Sequence, residues 1–329
     1  MIIFHFHKYY HTMTQVYKEN YATFENCCDI LERDGYCVIP GILNREETED
    51  SIKKAWGCLN HLTQNLERPI VQEDPQSWLS FWELAPLHSM LLKHYVGHSQ
   101  FMWDIRQNTN VKKVFQTIHK DEDLLTSFDG FSMHFPFEKL PRKRGKGRGN
   151  EWFHTDQSPH RKELCVQGIV NLFDVNEGDA TLRVIERSHL KHADFFKERK
   201  IEKCSGDWYR PDENEMLYFK ELPKIHVKAK SGDMLLWNSK TFHCGGEASG
   251  TRKEPNFRLA AYVCMVPRRN ATSAQLKKKC KAFRDKRMTS HWPIETKLNA
   301  KNPRTWGKKL PDIMELPDPI VLDKNIAGF

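Results

Sequence analysis

The chain has 329 residues, 39% of them hydrophobic and 29% charged, with a formal net charge of +8. This length allows a sizeable core in one elaborated domain, and the basic surface favours anionic partners without identifying them. The nine cysteines form no C-x-x-C pair, which argues against a disulfide framework and favours reduced thiols in an intracellular, cytoplasmic setting. No stretch approaches the about 18–20 apolar residues of a membrane span.

Residues 1–20 are predicted to form a flexible N-terminus. MIIFHFHKYYHTMTQ has a short apolar patch that is broken by three histidines, and it lacks the apolar segment and cleavage site of a signal peptide. The histidines are interpreted as part of a frayed terminus rather than as a metal site.

Residues 21–125 are predicted to form a mostly helical support. Gly35 ends a predicted helix and starts the turn into a short strand, Tyr36–Ile39. Asn44 is a predicted N-cap, and Glu47 three residues later completes a capping box. This pair predicts the start of a helix of about five turns.

Residues 126–268 are predicted to form a β core. Short apolar runs alternate there with Gly, Asp, Asn and Pro, a pattern typical of a β-rich sandwich or barrel. The clearest predicted strands are residues 165–173, 234–237 and 257–266. The lysine-rich remainder, residues 269–329, is predicted to be a basic extension packed on or near this core.

A basic, glycine-rich segment, KLPRKRGKGRGN, occupies residues 139–150 and is predicted to be a loop. A solvated surface is one interpretation. A contact with the phosphates of a nucleic acid is another. A third is a lid that favours an anionic substrate. The six cationic side chains are those of Lys139, Arg142, Lys143, Arg144, Lys146 and Arg148.

A candidate metal site begins with WFHTDQ. In a strand, His154 and Asp156 point to the same face, about 6–7 Å apart along the chain. Such a pair is common by chance, so a polar strand end competes with a metal site. His243, near the end of the strand that starts at Met234, supplies a third ligand. Two histidines and one carboxylate form the facial triad of non-haem iron(II) oxygenases, which leaves three of six octahedral positions open.

An organic diacid such as 2-oxoglutarate on two of those positions needs a cationic clamp for its far carboxylate. A guanidinium suits this task because it makes two parallel hydrogen bonds. Arg258 opens the strand after His243, whereas Arg252 lies within the polar loop between them. Arg258 is therefore the predicted clamp.

Four further polar residues are candidates for cofactor binding. Gln167 and Asn171 share one face of an otherwise apolar strand, which indicates either an inward-facing cofactor pocket or an outward polar face. Thr181 and Ser239 are further candidate hydrogen-bond donors to the oxoacid.

Five segments occur in an order that resembles the phytanoyl-CoA dioxygenase family of Fe(II)/2-oxoglutarate-dependent oxygenases, across about residues 30–268. The resemblance implies that His154, Asp156 and His243 bind the metal as catalytic residues and that Arg258 binds 2-oxoglutarate. It also implies a mainly β fold with flanking α-helices, namely a double-stranded β-helix (a cupin-like jelly-roll) with N-terminal helices against it. The segments are RDGYCVIPGIL, WFHTDQ, NEGDATLRVIERSHL, KSGDMLLWNSKTFHCGG and FRLAAYVCMVPR.

The activity that the resemblance implies is hydroxylation of an unactivated C–H bond in a small-molecule substrate, with release of succinate and CO2. The cofactors are iron(II) and 2-oxoglutarate, with oxygen as co-substrate and ascorbate as an optional reductant. Halogenating relatives carry a small residue in place of the carboxylate, so Asp156 favours hydroxylation. One departure is the segment Glu186-Arg187-Ser188-His189, which lacks the glycine of the family's Pro-Gly-Ser-His turn.

Two other functions compete with this one. The same three ligands could hold zinc in a hydrolase, although Arg258 then has no role. A non-catalytic β-barrel could instead bind nucleic acid through residues 139–150. The sequence leaves the substrate and the oligomeric state open, because one fold serves many substrates.

Overall fold

The computed structural model describes residues 16–140, 151–202, 206–250, 252–295, 297–303, 307 and 309–329. The strands are β1 (Val16–Lys18), β2 (Tyr36–Ile39), β3 (Met90–Leu91), β4 (Leu124–Thr126), β5 (Phe131–His134), β6 (Val166–Asn171), β7 (Thr181–Ile185), β8 (Lys224–Val227), β9 (Met234–Asn238), β10 (His243–Gly246), β11 (Arg258–Val263) and β12 (Met265–Pro267). The α-helices are α1 (Cys27–Asp34), α2 (Arg45–Leu62), α3 (Gln100–Gln107), α4 (Thr109–His119), α5 (His192–Glu198), α6 (Glu213–Met216), α7 (Ser273–Arg284) and α8 (Lys324–Ala327). None of the described helices combines the length and the apolar character needed to cross a lipid bilayer.

The strands form three sheets, and their pairing is antiparallel except between β1 and β8. The four-stranded sheet has the order β1-β8-β7-β10, and the six-stranded sheet has the order β2-β9-β6-β11-β5-β3. The third sheet pairs β12 with β4. The prediction of a mainly β fold with flanking helices is thereby confirmed.

The six-stranded sheet is covered on both faces, and β6 at its centre has all six residues buried. Ile169 packs with Leu182 of β7 and Leu235 of β9 in the core between the two larger sheets. Val166 and Val170 point to the opposite face and pack in the larger cluster that contains the helices. Burial on both faces explains the apolar run in the sequence. By alternation, Gln167 and Asn171 share the intersheet face with Ile169.

The predicted capping box at the start of α2 is confirmed. The Glu47 N–H donates to Asn44 Oδ1 at 2.9 Å, and the Asn44 N–H donates to Glu47 Oε2 at 2.8 Å. The helix buries Trp56, Leu59 and Leu62 in the larger cluster. The predicted strand that precedes it, β2, forms an edge of the six-stranded sheet and pairs with β9.

The run at residues 257–266 forms two strands instead of the single predicted one. The break is at Cys264, whose N–H donates to Ser127 Oγ while its carbonyl accepts the Ser127 N–H. The chain changes partners at this point, because β11 pairs with β5 and β6 whereas β12 pairs with β4. The apolar pattern carries no trace of such a change of partner.

Part of the C-terminal extension packs against the β core. Lys279 of α7 is buried, donates to the carbonyls of Thr126 and Pro293, and lies 4.0 Å from the centre of the Phe128 ring. Burial lowers the pKa of Lys279 to about 7. The predicted domain boundaries stay predictions, and residues 1–15 of the predicted flexible terminus lie outside the described residues.

Three buried histidines predict a loss of stability in mild acid. Burial lowers the pKa of His98, His192 and His226 to about 4 in each case. As the pH falls below about 6.5, the unfolded chain binds protons at these side chains before the folded protein does. The contribution of these histidines to stability should therefore be complete above pH ~6.5 and be lost progressively towards pH ~4, by up to about 3 kcal/mol each.

Thermal unfolding of metal-free protein between pH 7.5 and 4.5 would measure this loss. His98→Gln retains a donor for the Arg287 carbonyl, which lies 3.0 Å from His98 Nε2, but it removes the titrating ring. The variant should show a shallower fall of Tm with pH than the wild type. A wild-type Tm that stays constant from pH 7.5 to 5 would contradict the prediction.

Candidate metal centre

Backbone pairing brings the three predicted ligands together. His154 and His243 form a two-residue β-bridge in which the His154 N–H donates to the His243 carbonyl at 3.0 Å and the reverse bond measures 2.9 Å. The Asp156 N–H donates to the Ser239 carbonyl at 3.1 Å. The main chain thus holds all three residues in place, although His243 follows Asp156 by 87 positions and His154 by 89 positions in the sequence.

The hydrogen bonds of both histidines leave Nε2 available to a metal. His154 Nδ1 lies 3.2 Å from the Trp152 carbonyl, and His243 Nδ1 lies 2.9 Å from the Thr241 carbonyl. Because a carbonyl only accepts, Nδ1 must carry the proton, and Nε2 then presents its lone pair. Asp156 Oδ2 lies 3.6 Å from His154 Nε2 and 3.3 Å from His243 Nε2. The three ligand atoms lie within 4.8 Å of one another, so one metal ion fits among them.

The protonation states also suit metal binding. Burial alone raises the pKa of Asp156, but its electrostatic interactions with His154 and His291 and its short contacts with both triad histidines hold it well below its usual value. Burial lowers the pKa of His243. At neutral pH the site therefore offers a carboxylate and a neutral imidazole, which are the forms that bind metal.

Two of the predicted cofactor residues contact the metal-ligand loop. Gln167 Nε2 donates to Asp156 Oδ2 at 3.0 Å and lies 3.4 Å from Ser239 Oγ. The Ser239 carbonyl accepts the Asp156 N–H and also the Thr155 hydroxyl at 3.0 Å. Gln167 and Ser239 thus orient Asp156. Their predicted contact with the cofactor stays a prediction.

The Gln167 contact predicts a measurable effect on metal affinity. Gln167→Leu should raise the Kd for Fe(II) about 10–100-fold, because partners that orient a ligand typically contribute that much. Gln116→Leu is a suitable control, since the Gln116 amide donates to the Glu122 carbonyl at an exposed position. Equal affinity of Gln167→Leu and the wild type in a metal titration would contradict this role.

The other two predicted cofactor residues have backbone partners. Asn171 Nδ2 donates to the carbonyl of Phe173 and lies 3.4 Å from that of Lys230. Thr181 Oγ1 donates to the Val227 carbonyl at 2.6 Å. These bonds stabilise a turn and a strand pair, and binding of the cofactor by Asn171 and Thr181 stays a prediction.

Arg258 and Arg252 differ in their partners. Arg252 forms ion pairs with Glu138 at 2.6 Å and Asp179 at 3.0 Å. Arg258 is 5% exposed and has no ion pair within 4.0 Å among the residues that the structure describes, although it interacts electrostatically with Tyr262 and Glu247. Burial lowers its pKa, yet a guanidinium stays protonated at neutral pH. Arg258 is therefore a buried cation suited to an anionic ligand.

Arg258 also points to the interior between the two larger sheets, as does the residue that contacts Asp156. It opens β11, and by alternation it shares a face with Ala260 and Tyr262, which pack in the core between the two larger sheets. Gln167, which contacts Asp156, points to this intersheet face from the neighbouring strand β6. The predicted clamp and the candidate metal ligands thus line one interior.

Aromatic rings flank His154. Trp152 stacks on His154 with ring centroids 4.8 Å apart, and His88 stacks on Trp152 with ring centroids 4.2 Å apart. Trp208 lies 5.9 Å from His154 and is 44% exposed. Sequence reasoning missed His88 and Trp208, because neither has a regular spacing from the ligands. The stack holds the His154 ring in place, and Trp208 offers an apolar surface beside it.

The turn that lacks the expected glycine, residues 186–189, still contains a left-handed residue. Arg187 has a φ of 63°, which costs a non-glycine residue about 1 kcal/mol. Ser188 Oγ accepts the Phe242 N–H at 2.8 Å, so the turn supports the residue before His243. The substitution of glycine therefore leaves this support intact.

A fourth histidine, His291, approaches the site from the C-terminal extension. Its ring interacts electrostatically with Asp156 and His243. The described ligand cluster does not include it. Sequence reasoning missed His291, because it stands alone in a segment without a strand pattern. Of the basic loop at residues 139–150, positions 141–150 lie outside the described residues.

Comparison with known proteins places the chain in a family. The family model described as phytanoyl-CoA dioxygenase (PhyH) matches residues 31–253. Ava biosynthesis cluster protein O of Aspergillus versicolor is 27% identical over 288 residues, covering 84% of this chain and 87% of that protein. A putative phytanoyl-CoA dioxygenase of Dictyostelium discoideum is 22% identical over 283 residues, covering 76% and 77% respectively.

Among solved structures, EctD from S. alaskensis with bound Fe matches with a TM-score of 0.48 and 15% identity, covering 79% of this chain and 82% of that one. The family model spans more than half of the chain, from before β2 to the loop that follows His243. This confirms the prediction from the sequence motifs. The chain belongs to the phytanoyl-CoA dioxygenase family.

Proposed function

We propose that the chain is an Fe(II)- and 2-oxoglutarate-dependent dioxygenase that hydroxylates an unactivated C–H bond of a small-molecule substrate. The observation that carries this proposal is the grouping of the His154, Asp156 and His243 ligand atoms, with a buried arginine, Arg258, that forms no ion pair within 4.0 Å among the described residues. When bound, iron(II) with 2-oxoglutarate and oxygen supplies the oxidation of C–H to C–OH, with release of succinate and CO2.

The chain's own residues would hold these groups. His154 Nε2, His243 Nε2 and an Asp156 oxygen would bind iron, and the facial arrangement leaves room for a bidentate oxoacid. Arg258, with the Tyr262 hydroxyl beside it, would bind the distal carboxylate through two parallel hydrogen bonds. Ascorbate is an optional reductant in this proposal.

The fold proposed with this function is the double-stranded β-helix. Two mostly antiparallel sheets face each other, and the site residues come from both of them: His243 from the four-stranded sheet, and Gln167 and Arg258 from the six-stranded sheet. This position supports a site enclosed by protein. Enclosure excludes water, which strengthens the electrostatic interactions with the bound groups.

Asp156 supports hydroxylation as the outcome, because its carboxylate occupies the position that a chloride takes in halogenating relatives. An anionic group on the substrate is a further part of the proposal, supported by the charges of residues 139–150, of which Lys139 and Leu140 are described. Trp208 supports an apolar group next to the metal.

Succinate formation tests the proposal against zinc hydrolysis and pure binding. Purified protein with Fe(II), 2-oxoglutarate and oxygen should release succinate slowly even without substrate, and Zn(II) in place of Fe(II) should give none. Succinate that forms independently of the added metal, or hydrolysis supported by Zn(II) without succinate from Fe(II), would contradict it.

A further inference from the structure

Trp208 is a large aromatic side chain that is 44% exposed although it lies beside a candidate metal ligand. Its ring centroid is 5.9 Å from that of His154, and the two ring planes are tilted by 35°. Single apolar residues are common on protein surfaces, so exposure alone does not indicate a binding site. The evidence for a site is the way in which the chain holds this exposed ring in place.

On one side of Trp208 the main chain is paired with the strand that carries the metal ligands. The Thr155 N–H donates to the Tyr209 carbonyl at 2.9 Å, and the reverse bond measures 3.0 Å. Thr155 stands between His154 and Asp156 in the sequence. These two bonds align the segment of Trp208 with the ligands themselves.

On the other side, Arg161 holds Asp207. Its Nε and Nη2 donate to the two Asp207 carboxylate oxygens at 2.9 and 2.8 Å, and its Nη1 and Nη2 donate to the two Glu295 carboxylate oxygens at 2.8 and 2.7 Å. The guanidinium also lies 4.1 Å from the centre of the Trp292 ring. Bidentate pairs of this kind are strong and fix the geometry of both partners. Arg161 therefore restrains the residue that precedes Trp208.

A restrained aromatic ring binds a ligand more tightly than a mobile one, because less side-chain and loop entropy is lost on binding. Flat ligands gain most, since a second ring can lie in offset contact across the face of the indole. The other rings beside His154 are also arranged as flat faces. Trp152 is tilted by 9° from His154, and the exposed ring of His88 is tilted by 11° from Trp152.

We propose that Trp208 is a specificity-determining residue that contacts the substrate, and that the substrate belongs to the class of molecules with a flat, unsaturated ring system. Arg161 is the positioning residue that holds this contact surface in place. The inference rests on the proposed function, because it takes the surroundings of His154 as the place where the substrate reacts. It narrows the apolar group of the proposed substrate to a planar one.

Binding of two ring alcohols with the same carbon skeleton tests the proposal. Naphthylmethanol is flat and aromatic, whereas decahydronaphthylmethanol is puckered and saturated, and neither carries a carboxylate that would compete with 2-oxoglutarate. Anaerobic calorimetric titration of the protein with Fe(II) and 2-oxoglutarate should give a Kd for naphthylmethanol about 3–10-fold below that of the saturated alcohol, although the saturated alcohol is more hydrophobic. Trp208→Leu keeps an apolar side chain without a π-face, so it should remove this preference.

Arg161→Lys and Arg161→Leu test the positioning role. Each should weaken the binding of naphthylmethanol about threefold or more, but neither should weaken it further when it is combined with Trp208→Leu, because the two residues act as one unit. A merely structural role would lower the Tm without this dependence on Trp208. Trp82→Leu is the matched control, since Trp82 is 37% exposed and its described ring contacts are with Phe81 and Phe135. It should keep the wild-type preference.

The outcomes separate this inference from the proposed function. Equal Kd values for the two alcohols in the wild type, tighter binding of the saturated alcohol, or no binding of either would show that the substrate class is wrong. A preference that survives in Trp208→Leu, or that disappears in Trp82→Leu as well, would show that Trp208 does not determine it. Additive losses in the double variants would remove the positioning role of Arg161. If the wild type binds neither Fe(II) nor 2-oxoglutarate, the proposed function fails, and the same titration of the metal-free protein still measures the preference at Trp208.

Discussion

Asp156→Ala should abolish stoichiometric Fe(II) binding and lower 2-oxoglutarate-dependent succinate release at least about 1,000-fold. The carboxylate is the only anionic group in the described ligand cluster, and it lies within 3.6 Å of both histidine Nε2 atoms. Without it, two neutral imidazoles face the metal and no protein carboxylate offsets its charge, so the remaining ligands should hold Fe(II) only weakly in competition with water. Metal content after gel filtration and succinate release would both report the loss.

Two controls make this result specific. Asp174→Ala removes a carboxylate whose ion partner is the exposed Lys230, so it should leave metal content unchanged. Asp156→Glu retains the charge on a longer side chain and should retain weak binding. An Asp156→Ala protein that binds one Fe(II) and stays fully active would remove Asp156 from the site.

Arg258→Ala should raise the concentration of 2-oxoglutarate needed for half-saturation at least about 100-fold, while Fe(II) still binds. Loss of one member of a buried, hydrogen-bonded charge pair typically costs 2–5 kcal/mol, and about 2.7 kcal/mol corresponds to 100-fold. The half-saturating concentration of 2-oxoglutarate for Arg258→Lys should lie between those of the wild type and Arg258→Ala, because an ammonium retains the charge but cannot form the parallel pair of bonds. Equilibrium binding of 2-oxoglutarate to the Fe(II) protein measures the change.

Arg252→Ala is the comparison that the sequence itself suggests. Its ion pairs with Glu138 and Asp179 are internal to the protein, so the variant should lose stability, visible as a lower Tm, and keep its affinity for 2-oxoglutarate. The opposite pattern, with weak binding in Arg252→Ala and normal binding in Arg258→Ala, would exchange the roles of the two arginines.

Local signals predicted much of this architecture. The strand Tyr36–Ile39 was predicted from the turn at Gly35, and the capping box at Asn44 from hydrogen bonds between residues three apart. Both signals are confined to short segments. The grouping of His154, Asp156 and His243 followed from the small set of ligands that a metal requires. The structure brings their ligand atoms together.

Features that depend on distant parts of the chain could not be predicted in this way. The break at Cys264 follows from a change of strand partner, and the approach of His291 to Asp156 follows from the packing of the extension. Alternation alone allows either an inward or an outward face for Gln167, and its bond to Asp156 depends on a loop that no periodicity specifies. Alternation determines the face on which a residue lies, whereas tertiary contacts determine its partner.

Anaerobic titration of the metal-free protein with Fe(II) and 2-oxoglutarate tests the central claim most directly. The account predicts a weak visible charge-transfer band that requires both components, saturates near one Fe(II) per chain, and needs far more 2-oxoglutarate in Arg258→Ala. A wild-type protein that binds Fe(II) at the triad but shows no band at saturating 2-oxoglutarate would contradict it. The triad would then serve another metal chemistry.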